Sequence, residues 1–123
     1  FEIEWIKMFG KSNTVSRNLR EMIITFDFRE RYQMGYTGDG KLVKKAQILG
    51  STISKDSIWV FVGNTSARLC ETALIHELVH ASIWSLNRIH GDPDHTGTRF
   101  FGWTDFHYAL IDRVNSNLCS LGI

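Results

Sequence analysis

The sequence predicts an α+β domain: an N-terminal helix, a small β-sheet, then a buried helix packed on a C-terminal helix. Three observations carry that expectation. Apolar residues recur at helical spacing near both ends, two β-branched and aromatic runs lie in the middle, and residues 72–84 read TALIHELVHASIW, apolar nearly all round. With 123 residues, 43% of them hydrophobic, the chain has material for one core, so residues 1–123 are read as a single domain.

The first helix is expected from Val15, Leu19, Met22, Ile23 and Phe26, behind the cap candidates Ser12, Asn13 and Thr14. Gly35, Gly38, Asp39 and Gly40 then suit a turn-rich hinge. Residues 45–54 and 57–63 read as two strands joined by a tight turn at Lys55-Asp56. The second strand carries Ile58, Val60 and Val62 on one face and Trp59 and Phe61 on the other, and a strand apolar on both faces belongs inside a sheet. Asn64, Thr65 and Ser66 are the cap candidates for the next helix, which meets no breaker before about Leu86. After an irregular loop over 87–97, which holds the single proline Pro93, the residues Phe100, Trp103, His107, Leu110, Ile111, Val114 and Leu118 predict a third helix. Trp59, Trp84 and Trp103 fall on packing positions of these elements.

A formal net charge of +1 creates no global field that would select nucleic acid or an acidic surface. No run of about 18 apolar residues is present, so no membrane span is expected. The chain begins at Phe1 and is expected to be a processed product or part of something longer, and it is expected to act as a monomer. Two cysteines, Cys70 and Cys119, form no C-x-x-C pair. If the second and third helices make an antiparallel hairpin, both cysteines lie at its open end, within reach of a disulfide; two buried thiols are the alternative.

The chemistry concentrates in His76-Glu77-Leu78-Val79-His80. Histidines four apart on a helix share a face one turn apart and can reach one ion, while Glu77 projects from the adjoining edge, placed to take a proton from water rather than to bind metal. Leaving two imidazoles and a carboxylate unpaired in an apolar helix would cost several kcal/mol, which pairing or a metal offsets. A catalytic zinc takes three protein ligands. No glutamate follows Glu77, so the third ligand lies among His90, Asp92, Asp94, His95, Asp105 and His107.

Glu71, the run His76 to Ala81, Trp84, and a later histidine followed by Gly97, Phe100 and Trp103 resemble the SprT-like (Spartan-type) zinc metalloprotease domain of the zincin class. The resemblance implies a zincin-like fold over most of residues 14–118, His95 as third zinc ligand, and proteins associated with DNA as substrates. It also implies a reducing interior, so an intracellular location is favoured, whereas a Cys70–Cys119 bond would indicate a secreted peptidase. Thr104, Asp105 and Tyr108 more weakly resemble the aspzincin pattern, which would make Asp105 the third ligand. Helical period puts Asp105 off the apolar stripe of the third helix, so His95 is preferred and His90 is assigned to the loop surface.

These readings amount to a zinc metalloendopeptidase that hydrolyses protein or peptide substrates, with His76, His80 and His95 as ligands and Glu77 as general base. His107 and Tyr108, with Arg99 behind them, are candidates for supporting the ligands or holding an oxyanion, and His107 alternatively packs in the core. Lys41, Lys44 and Lys45 suggest a weak, salt-sensitive contact with single-stranded DNA. Two alternatives stand beside this: a secreted aspzincin-like peptidase or effector, and a catalytically silent binding domain stabilised by zinc.

Overall fold

A computed structural model describes residues 1–36, 41–63, 68–93, 95, 97 and 102–123. Two short helices, α1 (Glu2–Phe9) and α2 (Asn13–Arg20), precede five strands: β1 (Ile23–Asp27), β2 (Arg31–Tyr36), β3 (Leu42–Ile48), β4 (Gly50–Ser54) and β5 (Ser57–Phe61). A single 3₁₀ turn at Leu69–Glu71 leads into α3 (Leu74–Asn87), and α4 (Asp105–Ser120) ends the fold. The class is α+β, as the sequence indicates.

The sheet that positions the site has the order β1-β5-β4, with β1 parallel and β4 antiparallel to β5. β5 is its central strand, and Ile58, Trp59 and Val60 are buried on both faces, as its two-sided apolar pattern requires. The tight turn falls at Lys55-Asp56. β2 and β3 form a separate antiparallel ribbon.

Three local expectations need correction. The first helix is shorter than its periodicity suggests: Ser12 caps α2, its side chain accepting from Val15 N at 3.2 Å, but the helix stops at Arg20. Ile23 to Phe26 instead form β1, where they pair with β5 and where the Trp59 indole donates to Asp27 Oδ2 at 3.0 Å. β-Branched residues beside an apolar central strand gain more from the ladder and its cross-strand packing than from one further helical turn. Second, the run 45–54 is not one strand but the end of β3 and all of β4, divided at Leu49. Third, Gly35 lies inside β2 rather than in a hinge, opposite Val43; Gly38, Asp39 and Gly40, like the caps Asn64, Thr65 and Ser66, lie outside the described residues. The helix α1 was not anticipated; its Trp5 is buried in the core.

α3 lies against β4 and β5 and touches α2 and α4. Its Ile75, Val79 and Ile83 join Ile58 and Val60 from the sheet, Val15 from α2, and Leu110 and Val114 from α4 in one core. Burying each such side chain contributes about 1.5–3 kcal/mol, which is what holds so apolar a helix in place. Among the described residues no helix is long and apolar enough to cross a membrane.

The open end of the α3/α4 hairpin is closed by a Cys70–Cys119 disulfide, with Cα atoms 5.5 Å apart. The expectation of free thiols, which followed from the family resemblance, is thereby corrected: the hairpin geometry brings the two residues together, and Cys70 N donates to Ile123 O beside them. The bond spans 49 residues of sequence, and loop closure of that length contributes about 4 kcal/mol. Reduction, or Cys119→Ser, is therefore expected to lower unfolding free energy by about that amount in chemical denaturation. The oxidised protein should show no free thiol and a mass about two units below the reduced form.

Candidate metal centre

α3 sets the first half of the site. His76 and His80 are one turn apart, and their Nε2 atoms lie 3.1 Å from each other. His95 comes from the loop beyond α3, and its Nε2 is 3.0 Å from His80 Nε2. The ligating atoms of all three imidazoles fall within 4.8 Å of one another. Ligands placed tetrahedrally about zinc at about 2.0–2.1 Å sit about 3.3 Å apart, so the His76–His80 and His80–His95 separations approach the edge length of such a site.

The surroundings make these nitrogens lone-pair donors. His80 Nδ1 lies 2.5 Å from Gly91 O; a carbonyl only accepts, so Nδ1 carries the proton and Nε2 faces its partners bare. Burial, then the neighbouring His80 and His95, holds the His76 imidazolium down to about 4, and burial also lowers His80. Imidazoles held neutral at His76 and His80, with His95 beside them, are suited to a cation from outside.

The loop is shaped to deliver His95. A Cβ at Gly91 would stand 2.3 Å from His80 O, so glycine alone permits the approach that forms the His80 contact. Asp92, 2% exposed, gathers the chain after it: its Oδ2 accepts from Gly97 N and Trp103 N, both at 2.8 Å, and its carbonyl accepts from His95 N at 2.9 Å. Asp92 and His95 both adopt positive φ of 55°. Strain of that kind persists where surrounding contacts over-determine it. Trp103 is thereby drawn against the cluster, its ring 4.5 Å from that of His80 and 4.4 Å from that of His95.

Glu77 is buried beside the histidines, and its Oε2 has no hydrogen-bond partner. Burial pushes its carboxyl up to about 7, the range in which a carboxylate exchanges protons readily near neutrality. The space it occupies is left by Gly50: a Cβ there would meet Glu77 Cγ at 2.7 Å and Ala73 Cβ at 3.0 Å. A cleft of about 640 Å³ runs past Glu71, Gly50 and Glu77, and another of about 410 Å³ holds all three histidines. Gly50, His76 and Glu77 line both.

The other candidates are placed as follows. His90 turns into its own loop, its Nδ1 accepting from Asp92 N at 2.9 Å, and is not part of the cluster. Asp105 is exposed in the first turn of α4. Tyr108 is half-exposed, its ring 5.2 Å from Trp103 and 6.2 Å from His95. His107 is buried behind Trp103, stacked on Phe9 at 4.4 Å, and its Nδ1 accepts from Thr104 N at 2.9 Å. Asp94 and Arg99, and Phe100 of the expected third helix, lie outside the described residues; that helix starts at Asp105, so His95 does not stand at its start. Lys44 and Lys45 are consecutive in β3 and point to opposite faces of the ribbon, with Lys45 over the Tyr32 ring.

The His107 environment has a measurable consequence. Burial lowers its imidazolium from 6.5 to about 4, so the unfolded chain takes up this proton first. His107 therefore contributes stability above pH 6.5 that is lost as pH falls towards 4, on the order of 3 kcal/mol. In metal-free protein, His107→Gln should flatten this part of the stability profile in denaturant titrations.

Sequence reasoning passed over Trp103 as a wall of the site and over Gly91 and Gly50, and it weighed Asp92 only as a ligand. The run Gly91-Asp92-Pro93 was the available signal for an ordered loop. Comparison with protein-family models, with curated proteins and with solved structures finds no match to this chain. Fold and site together define an α+β domain with three histidines close enough to hold one metal ion.

Proposed function

We propose that the protein is a zinc-dependent metalloendopeptidase with a zincin-like arrangement, His76, His80 and His95 holding the ion and Glu77 acting as general base. The observation that carries this reading is the convergence of three Nε2 atoms beside a buried carboxylate with an unpartnered oxygen. Zinc in such a ligand set supplies Lewis acidity towards a carbonyl oxygen and brings the pKa of water to about 7. Glu77 accepts the proton of the attacking water at its free Oε2 and returns it to the leaving amine. His80, fixed through Gly91, keeps its tautomer throughout, and Trp103 covers one side of the cluster against water. Tyr108, whose ring lies 6.2 Å from that of His95, is the donor assigned to a developing oxyanion.

Substrate binding follows from β4. Among the described strands it pairs only with β5, so its outer edge is available beside the clefts that hold Glu77 and the histidines. An extended peptide can add to that edge through main-chain hydrogen bonds. The Cys70–Cys119 bond favours an oxidising compartment, and hence a secreted form of this peptidase over an intracellular one.

The test is metal analysis of purified protein beside casein digestion. One equivalent of zinc, with digestion abolished by chelation and restored by zinc, is the expected result. Bound zinc without hydrolysis of any unfolded protein would identify a silent, zinc-stabilised binding domain instead.

A further inference from the structure

We infer that the cleft at the C-terminal end of α3 is a subsite for an acidic side chain of the peptide substrate, an inference that rests on the peptidase reading. This cleft, about 510 Å³, lies between α2, the β4–β5 turn and the end of α3. At its base Asn18 is 4% exposed; its Nδ2 donates to Lys55 O at 2.6 Å, and its Oδ1 is buried without a partner. An amide oxygen held in that way calls for an N–H donor from a ligand. Arg17, Lys55 and Arg88 line the same cleft, and none of them forms an ion pair among the described residues. Two acids share the cleft, Glu21 and Asp56, the latter accepting from Ser54 Oγ at 2.8 Å while keeping its charge, so three cations face two anions and the lining keeps a positive excess. At the helix end the Trp84 carbonyl is covered by Arg88 N at 2.8 Å. A peptide residue with a main-chain N–H and a carboxylate side chain meets both demands, the N–H at Asn18 and the carboxylate at the guanidinium groups.

The position of the cleft ties it to the metal centre. His76, His80, Trp84 and Arg88 follow at four-residue intervals along one face of α3. Trp84 lines both this cleft and the one that holds the histidines. β4 runs past the two, with Ser51 and Thr52 beside the histidines and Ser54 beside the cations. From His80 to Arg88 the helix rises about 12 Å, a distance that an extended peptide covers in about three to four residues. The acidic residue therefore sits three or four positions from the scissile bond.

The experiment digests a random mixture of dodecapeptides with zinc-loaded protein and sequences the products. Enrichment of Asp and Glu about three or four positions from the cut is expected. In Arg17→Gln, and in Arg88→Gly, which suits the left-handed backbone at that position (φ 65°), the ratio of kcat/KM for an acidic peptide to that of its amide counterpart should fall roughly fivefold each. The preference should also fade with added salt. Cleavage with no acidic enrichment, or with enrichment that both variants retain, overturns the subsite and leaves the peptidase reading intact. If no peptide is cleaved, the peptidase reading fails. The subsite is then decided by titrating acetyl-Asp-Glu-amide while following the Arg17 and Arg88 Nε–H signals: saturable shifts absent with acetyl-Asn-Gln-amide support it, and no shift overturns it.

Discussion

Glu77→Gln is expected to keep its zinc and its fold while losing roughly 10² to 10⁴ in peptide hydrolysis. Glutamine has the shape of glutamate, so it fills the space that Gly50 leaves without a new clash, and it removes no imidazole from the cluster. What disappears is the capacity of the buried, unpartnered oxygen to accept a proton. The measurement is turnover of a casein-derived substrate by zinc-loaded protein of both forms, with metal content determined on the same samples. Undiminished turnover in the glutamine variant would remove Glu77 from the chemistry.

His95→Ala should weaken zinc binding as much as His76→Ala does, by at least about 100-fold, since each removes one of three ligands where loss of a mere supporting contact costs 10- to 100-fold. Asp105→Ala should leave affinity unchanged, because that carboxylate lies exposed in the first turn of α4 and outside the cluster. Competition with a chromogenic chelator measures all three variants. Normal zinc binding by His95→Ala with loss in Asp105→Ala would reverse the ligand assignment and favour the aspzincin arrangement.

Much of this site was legible without coordinates, for reasons that differ from residue to residue. His76 and His80 were legible because a four-residue step on a helix has one geometric meaning. β5 was recognisable as the inner strand because Ile58, Trp59 and Val60 are apolar on both faces; helix lengths put Cys70 within reach of Cys119, but the structure decided for the bond over two free thiols. β1 was misread because Val15, Leu19, Met22, Ile23 and Phe26 satisfy a helical period that stops mattering once Ile23 to Phe26 find β5. The helix α1 escaped notice because it is only 8 residues long and, of its apolar residues, only Trp5 is buried.

The amino-acid sequence by itself determined the α+β class, the buried motif helix and the identity of two histidines and a glutamate, since each is written in a local repeat of about one helical turn or one strand pleat. The tertiary structure brought His95, which the sequence favoured only through a family resemblance, to the cluster, and it alone decided that Gly50, Gly91, Asp92 and Trp103 support it. Those residues act through single close approaches and through one carboxylate that gathers Gly97 and Trp103. No period records contacts of that kind, because they depend on how the loop closes against α3 and not on the spacing of residues along the chain.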